Sequence, residues 1–255
     1  MAAFDWDVPA GWEQGRGAWG GLVIGALLRA VDATQGSQGR SIRTVSAHLV
    51  APVPAGPVAV TTALVRRGSS MSTWSAELAE ADGAVLAHAM VIAGDPRAPD
   101  LDDYLASHQL AAMPAADAWQ QCPVIPIGPP MGPAFAAHLQ FRPITGLPLS
   151  KGPARILGWI GFGDDVPWTA ARLLGLVDAY WPAVYATLPA MRPVATVSFS
   201  AHLLVDPASL DPAGPLLFES QLAAATDGFT TETRRLWSAE GRLVVENFQS
   251  IVVIR

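Results

Sequence analysis

Cysteine occurs once in this chain, at Cys122, and lysine once, at Lys151. A single cysteine excludes an intrachain disulfide and leaves a cysteine-based metal site without ligands. Both facts fit a cytoplasmic protein. Charged residues make up only 15% of the chain and the net charge is −6. No basic stretch is interleaved with aromatics, so nucleic acid is not an expected partner. An anionic ligand would have to use scattered arginines (Arg40, Arg43, Arg66, Arg67) or helix N-termini. No apolar run reaches the ~18–20 residues of a membrane span without a charge, a proline or a turn signal, so no membrane partner is expected. The opening MAAFDWDVPAGW has neither the basic nor the apolar region of a signal peptide. No G-x-S-x-G is present around Ser46, Ser198 or Ser200, which argues against a Ser-His-Asp hydrolase. His48, His88, His138 and His202 have no metal-ligand spacing on one element and read as core or edge residues. No metal and no cofactor are expected.

What the chain has in abundance is apolar residues, 51% of 255. That supports one large domain or two of about 100–150 residues. Residues 173–188, LLGLVDAYWPAVYATL, read as a helix that is apolar nearly all round and must be buried. Asp164-Asp165 with Pro167 reads as its start, with Asp as N-cap, and Pro182 kinks it or ends its regular part. Asp178 is its only charge. A carboxylate in such a setting is costly unless it is hydrogen-bonded or has a task, and perturbed carboxylates cluster at active sites. Earlier in the chain, Gly20-Gly21 opens a second apolar helix over residues 22–31. The two glycines permit close approach to its first turn, where free N–H groups favour negative charge.

Alternating or apolar runs at 42–50, 58–65, 72–80 and 84–93 read as antiparallel strands, with Asp82-Gly83 as a hairpin turn. Residues 95–130 are rich in proline and read as a linker or lid, with a helical patch at 102–112. Strand patterns return at 154–162, 194–204, 216–223, 230–237 and 243–254. The words repeat as well as the pattern. SAHL stands at 46–49 and at 200–203, AGP at 55–57 and at 213–215, and an acid-Gly turn precedes the last strand of each set. The chain is thus read as two copies of one helix-then-sheet unit, an α+β architecture. The units are placed at 1–96 and 134–255, with 97–133 as the linker.

A helix wrapped by a curled antiparallel sheet, present twice, resembles the double hotdog of the type II acyl-CoA thioesterases. The carriers of the resemblance are GRGAWGGLVIGALLRA at 15–30, FRP at 141–143 and the strand with Trp159. It implies a catalytic set of an Asp on the second hotdog helix, a Thr at the start of the next strand and a Gln on the last strand. Asp178, Thr196 in ATVSFS and Gln249 in ENFQSIVVIR match those positions. Ser198 and Phe199 stand where the family often has Asp-His. In the first half, Val91 holds the place of Gln249, Thr44 is the nearest counterpart of the trio, and no acid precedes Asp32 on the helix. That is the pattern of a duplicated chain with one functional site.

The resemblance implies hydrolysis of an acyl thioester, from CoA or another acyl carrier, to free acid and thiol. Asp178 would act as general base on water or as a direct nucleophile. Thr196 and Gln249 would position the water, and Gly20-Gly21 would offer N–H groups to the carbonyl oxygen. Two other readings stand beside it: a hotdog dehydratase or hydratase, which would need a His near the acid, and a catalytically silent acyl-thioester binder. Exposed sheet edges lead to the expectation of a homo-oligomer, a dimer or higher.

Overall fold

The computed structural model describes residues 2–36, 39–96, 110 and 112–254. The helical patch expected at 102–112 lies almost wholly outside them. The first half contains β1 (Ala2–Val8), a small hairpin of β2 (Glu13–Gln14) and β3 (Gly17–Ala18), then α1 (Gly20–Gln35). Strands β4 (Ser41–Leu49), β5 (Gly56–Arg67), β6 (Met71–Ala79) and β7 (Val85–Gly94) follow. The second half contains β8 (Gln140–Thr145), β9 (Arg155–Gly161) and α2 (Ala170–Leu176). It ends in β10 (Val194–Leu203), β11 (Leu216–Thr226), β12 (Phe229–Trp237) and β13 (Leu243–Val253).

Eleven strands form one antiparallel sheet in the order β1-β5-β6-β7-β4-β10-β13-β12-β11-β9-β8. The order is nearly a palindrome of the repeat, with β8 added at one edge. The halves join where β4 pairs with β10, and there Ser46 of the first SAHL lies opposite Ser200 of the second. Equivalent residues facing each other mark the local two-fold axis. On one face of the sheet sit α1 and α2. The α1 residues Val23, Ile24, Leu27, Leu28 and Val31 are buried at i, i+3, i+4 and i+7 spacing, which turns one stripe of the helix to the sheet. Each such side chain contributes roughly 1.5–3 kcal/mol by leaving water. This is the double-hotdog architecture that the resemblance implies, built from the two units of the repeat. No helix among the described residues is long and apolar enough to cross a membrane.

Two strands at the sheet's ends escaped the sequence reading. In β1, Phe4, Trp6 and Val8 alternate with Ala3, Asp5 and Asp7 in a period of two, hidden by the acids. In β8, Pro143 argues against a strand; the sheet tolerates it because β8 is an edge.

The second helix is shorter than expected. The N-cap is Thr169, whose hydroxyl accepts from Arg172 N–H at 3.2 Å, rather than Asp164 or Asp165. Asp164 pairs with Arg172 instead, at 2.6 Å. The helix ends at Leu176, and residues 178 and 179 continue with i→i+3 bonds to Gly175 and Leu176 carbonyls. A single 3₁₀ turn, Ala183–Ala186, follows Pro182. Pro182 cannot donate to a helical ladder, and side chains satisfy the freed backbone. Arg234 Nη1 donates to Val177 O at 3.4 Å and Glu232 accepts from Ala183 N–H at 2.8 Å. The apolar run is therefore buried, as its composition requires, but only half of it is helix.

The described part of the linker covers the sheet's other face. Trp159, Leu217, Trp237 and Leu243 form a second core there, packed under Leu110, Met113, Trp119 and Cys122. Arg142 of the FRP motif pins that cover by donating to Cys122 O at 2.6 Å and Trp119 O at 3.3 Å.

The two helices touch backbone to backbone. A Cβ built on Gly175 would lie 2.6 Å from Gly21 O, and one on Gly21 would lie 2.3 Å from Gly175 O. The offset between the two SAHL copies also separates Gly21 from Gly175, so the contact is reciprocal about the same axis. Neither neighbour is a flexible side chain that could move aside. Gly175→Ala is therefore expected to destabilise the fold by about 1–3 kcal/mol, read as a lower denaturant midpoint at unchanged slope. An unchanged midpoint would show that the crossing has slack.

Candidate active site

Asp178 sits two residues beyond the end of α2, on the turn where the helix gives way, and is 7% exposed. The α1 N-terminus meets it. The Gly21 backbone N–H is near enough to favour the ionised form of its carboxylate, and Trp19 Nε1 donates to its backbone carbonyl at 3.4 Å. A Cβ on Gly20 would stand 2.8 Å from Asp178 Oδ2 and 2.8 Å from Leu49 Cδ1. Gly20 thus keeps the space beside Oδ2 open, which the sequence could suggest only as close approach to a first turn.

Behind the carboxylate lies a charged cluster with no solvent. Gln249 of β13 is fully buried. Its amide has one orientation that pairs donors with acceptors: nitrogen donating to Asp178 Oδ1 at 3.2 Å and oxygen accepting from Arg234. Arg234 of β12 is 2% exposed, and its Nε donates to Glu232 Oε1 at 2.5 Å. Its Nη1 lies 3.6 Å from Asp178 Oδ1. Burial pushes the Asp178 carboxyl up to about 6; Arg234 pulls it down, Glu232 pushes it up, and the Gly21 N–H and Gln249 pull it down.

Sequence reading missed Glu232 and Arg234, although the signal was present. They sit two apart in TTETRRLW, so both turn to one face of β12. The register of the halves shows what they replace. Glu232 lies opposite Gln249 as Trp74 lies opposite Val91. Arg234 accordingly takes the place of Ala76. Val91 does hold Gln249's place, but Thr44 is not Thr196's counterpart. Both β4 and β10 carry an irregularity, between Ile42 and Thr44 and between Thr196 and Ser198. These coincide in the repeat, and Ile42 stands at Thr196's position. Ile24, three residues past Gly21, matches Asp178. The first half is apolar at all five places.

In front of the carboxylate a cavity of about 620 Å³ opens between the halves. Its wall includes Gly20 and Val23 of α1, Leu49 at the end of β4 with residues 50–53 after it, and Asp178 and Thr196. The tip of the β2–β3 hairpin, with Arg16, stands at one side. Gly17 anchors that hairpin: a Cβ there would meet Val53 N at 2.6 Å. Gln249 does not line the cavity; it touches the acid from behind. Phe199 is buried opposite Gln249 in the register, with Ser198 beside it on the other face. Among the described residues, none of His48, His88, His138 and His202 joins the site. His48 and His202 are exposed, while His138 stacks on Trp12 at 4.2 Å. Among the described residues no group of His, Cys, Asp or Glu could hold a metal ion.

Comparison with known proteins agrees with this fold. A family model described as the N-terminal domain of acyl-CoA thioesterase matches residues 8–94, and one described as the C-terminal domain matches residues 107–253. Among solved structures, a hot dog fold protein of unknown function from Alicyclobacillus acidocaldarius superposes with a TM-score of 0.86 at 22% identity, covering 99% of this chain and 93% of that one. The tesB protein of Mycobacterium avium subspecies paratuberculosis gives 0.75 at 18% identity, with the same coverage of both chains. An acyl-CoA thioesterase II, TesB2, from Mycobacterium marinum gives 0.74 at 14% identity, again covering 99% and 93%. Among curated proteins no match is found.

The raised carboxyl has a consequence for stability. An ordinary Asp releases its proton near pH 4, whereas folded Asp178 holds it to about 6. Between those values the folded state binds the extra proton, so stability falls as pH rises through the window and stays lower above it. Asp178→Asn carries no such cost. It should be more stable than wild type at pH 7.5, by ~1–3 kcal/mol in denaturant unfolding, with the gap closing toward pH 4. A variant no more stable at pH 7.5 would mean that the buried carboxylate ionises without penalty.

Proposed function

As the chain belongs to the acyl-CoA thioesterase family, we propose that it hydrolyses an acyl-CoA or related acyl thioester to free acid and thiol. The observation that carries this is one ionisable carboxylate, Asp178, buried yet opening onto a cavity beside a glycine helix start. A base poised near the working pH is what general-base catalysis by a carboxylate needs. Asp178 takes a proton from water, the oxygen attacks the thioester carbonyl, and the C–S bond breaks as the tetrahedral intermediate collapses. The thiolate leaves readily, since a thiol pKa is about 8.5, and the proton on Asp178 returns to it. Thr196, on the cavity wall, orients the water through its hydroxyl. Gln249 holds the carboxylate that receives the proton. The carbonyl oxygen is assigned to the Gly20 end of α1, because the Gly21 N–H lies near Asp178. We keep the division into units at 1–96 and 134–255, joined by 97–133, with the reaction confined to one site per chain.

Thiol release from a panel of acyl-CoAs, short to long and aromatic, tests the reading. Wild type should turn over part of the panel, and folded Asp178→Asn should be at least ~100-fold slower. Thr196→Val should lose about 10-fold with little change in KM. Wild-type kcat/KM should rise with pH through about 6 and level off above it, because only the ionised carboxylate accepts a proton. Binding of acyl-CoA without any thiol release would instead favour a silent binder.

A further inference from the structure

We propose that Arg234, braced by Glu232, is a positioning residue of this site: it fixes the Gln249 amide with its nitrogen on Asp178 Oδ1, and so leaves Oδ2, beside Gly20, as the oxygen that receives the proton. The inference rests on the hydrolase reading above.

A glutamine amide has no intrinsic preference between its two flipped orientations; its neighbours choose. Arginine has five N–H donors and no acceptor. The Gln249 oxygen lies 2.9 Å from Arg234 Nη2, 3.2 Å from Nη1 and 2.9 Å from Nε. The NH₂ group cannot face that fork, so it faces Asp178 Oδ1. Arg234 also reaches Val177 O at 3.4 Å, while Glu232 binds Arg234 with one oxygen and the Ala183 N–H with the other. The pair therefore grips the chain on both sides of Asp178. With Oδ1 engaged by Gln249 and close to Arg234, Oδ2 is left toward the open space that Gly20 provides.

Stability alone does not call for these charges. Burying an ion pair costs about as much as the pair returns, and apolar replacements are often neutral or better. The first half makes the same sheet with Trp74 and Ala76 at the two positions. Around Asp178, β12 supplies Glu232 and Arg234 as the buried charged groups, and Arg16 of the β2–β3 hairpin stands on the cavity wall. Gly20 and Gly21 of α1, Gln249 of β13, Thr196 of β10 and Leu49 of β4 are all uncharged.

The test combines turnover with a substrate-free titration of the Asp178 carboxyl by carbon-13 NMR. Glu232→Leu with Arg234→Met removes both charges, and its turnover is read once circular dichroism shows the wild-type fold. Its kcat should fall roughly 10- to 100-fold with KM within about twofold, and the Asp178 midpoint should rise, since Arg234 outweighs Glu232 at that carboxyl. Arg234→Lys keeps the charge but not the fork, so kcat should fall while the midpoint stays near wild type. Glu232→Gln should lower the midpoint. Wild-type kcat in the double variant, or midpoints that do not move in either Glu232→Gln or the double variant, would overturn the proposal. A wild type that hydrolyses no thioester would sink the hydrolase reading, and the positioning role with it. The titration would still show whether Arg234 and Glu232 set the carboxyl, which separates the two failures.

Discussion

The backbone contact of Gly21 with Gly175 is the constraint on which the rest of the molecule depends. With any side chain at either position the two helices would stand apart, because a Cβ there runs into a carbonyl of the other helix. At contact, the first turn of α1 is delivered to the end of α2. That places the Gly21 N–H near the Asp178 carboxylate and Gly20 beside its second oxygen. The site is therefore composite. The helix start comes from the first half and the acid from the second, and neither half holds it alone.

The second consequence is electrostatic. A carboxylate brought into a helix crossing has left water and must find partners. The N–H of Gly21 is one, and the remainder comes from β12 and β13 through Gln249, Arg234 and Glu232. These partners give the site its direction: Gln249 lies on Oδ1, and Oδ2 lies beside Gly20. They also explain the shape of the chain nearby. The turn at Asp178 exposes carbonyl and N–H groups that a longer helix would have satisfied, and Arg234 and Glu232 take them up at Val177 and Ala183.

Much of this was legible in the sequence, and the parts that were not have physical reasons. Apart from β1, β8 and the small β2–β3 hairpin, the strands of both halves follow from period and turn residues, and the repeat follows from the repeated words. The length of α2 did not follow, because apolar spacing reports burial, and residues 177–186 are mostly buried without continuing the α-helix. Thr44 was matched to Thr196 by residue type, but an irregularity in each strand shifts the register and brings Ile42 to that place. Glu232 and Arg234 resembled an ordinary alternating polar face. Only pairing them with Trp74 and Ala76 across the repeat shows that this face points into the core.

Duplication within one chain permits what a symmetric dimer cannot. In a two-fold homodimer every substitution occurs twice, so an acid that breaks one helix breaks both. Here α1 keeps sixteen residues of regular helix, while α2 stops after seven to present Asp178. Ile24, Ile42, Trp74, Ala76 and Val91 fill the matching places in the first half and are all buried. One half packs as an apolar core and contributes stability, and the other bears the cost of the site's buried charged groups, Asp178, Glu232 and Arg234. The cost of the buried charges is thereby confined to one half, while the other half lends the site its glycine helix start.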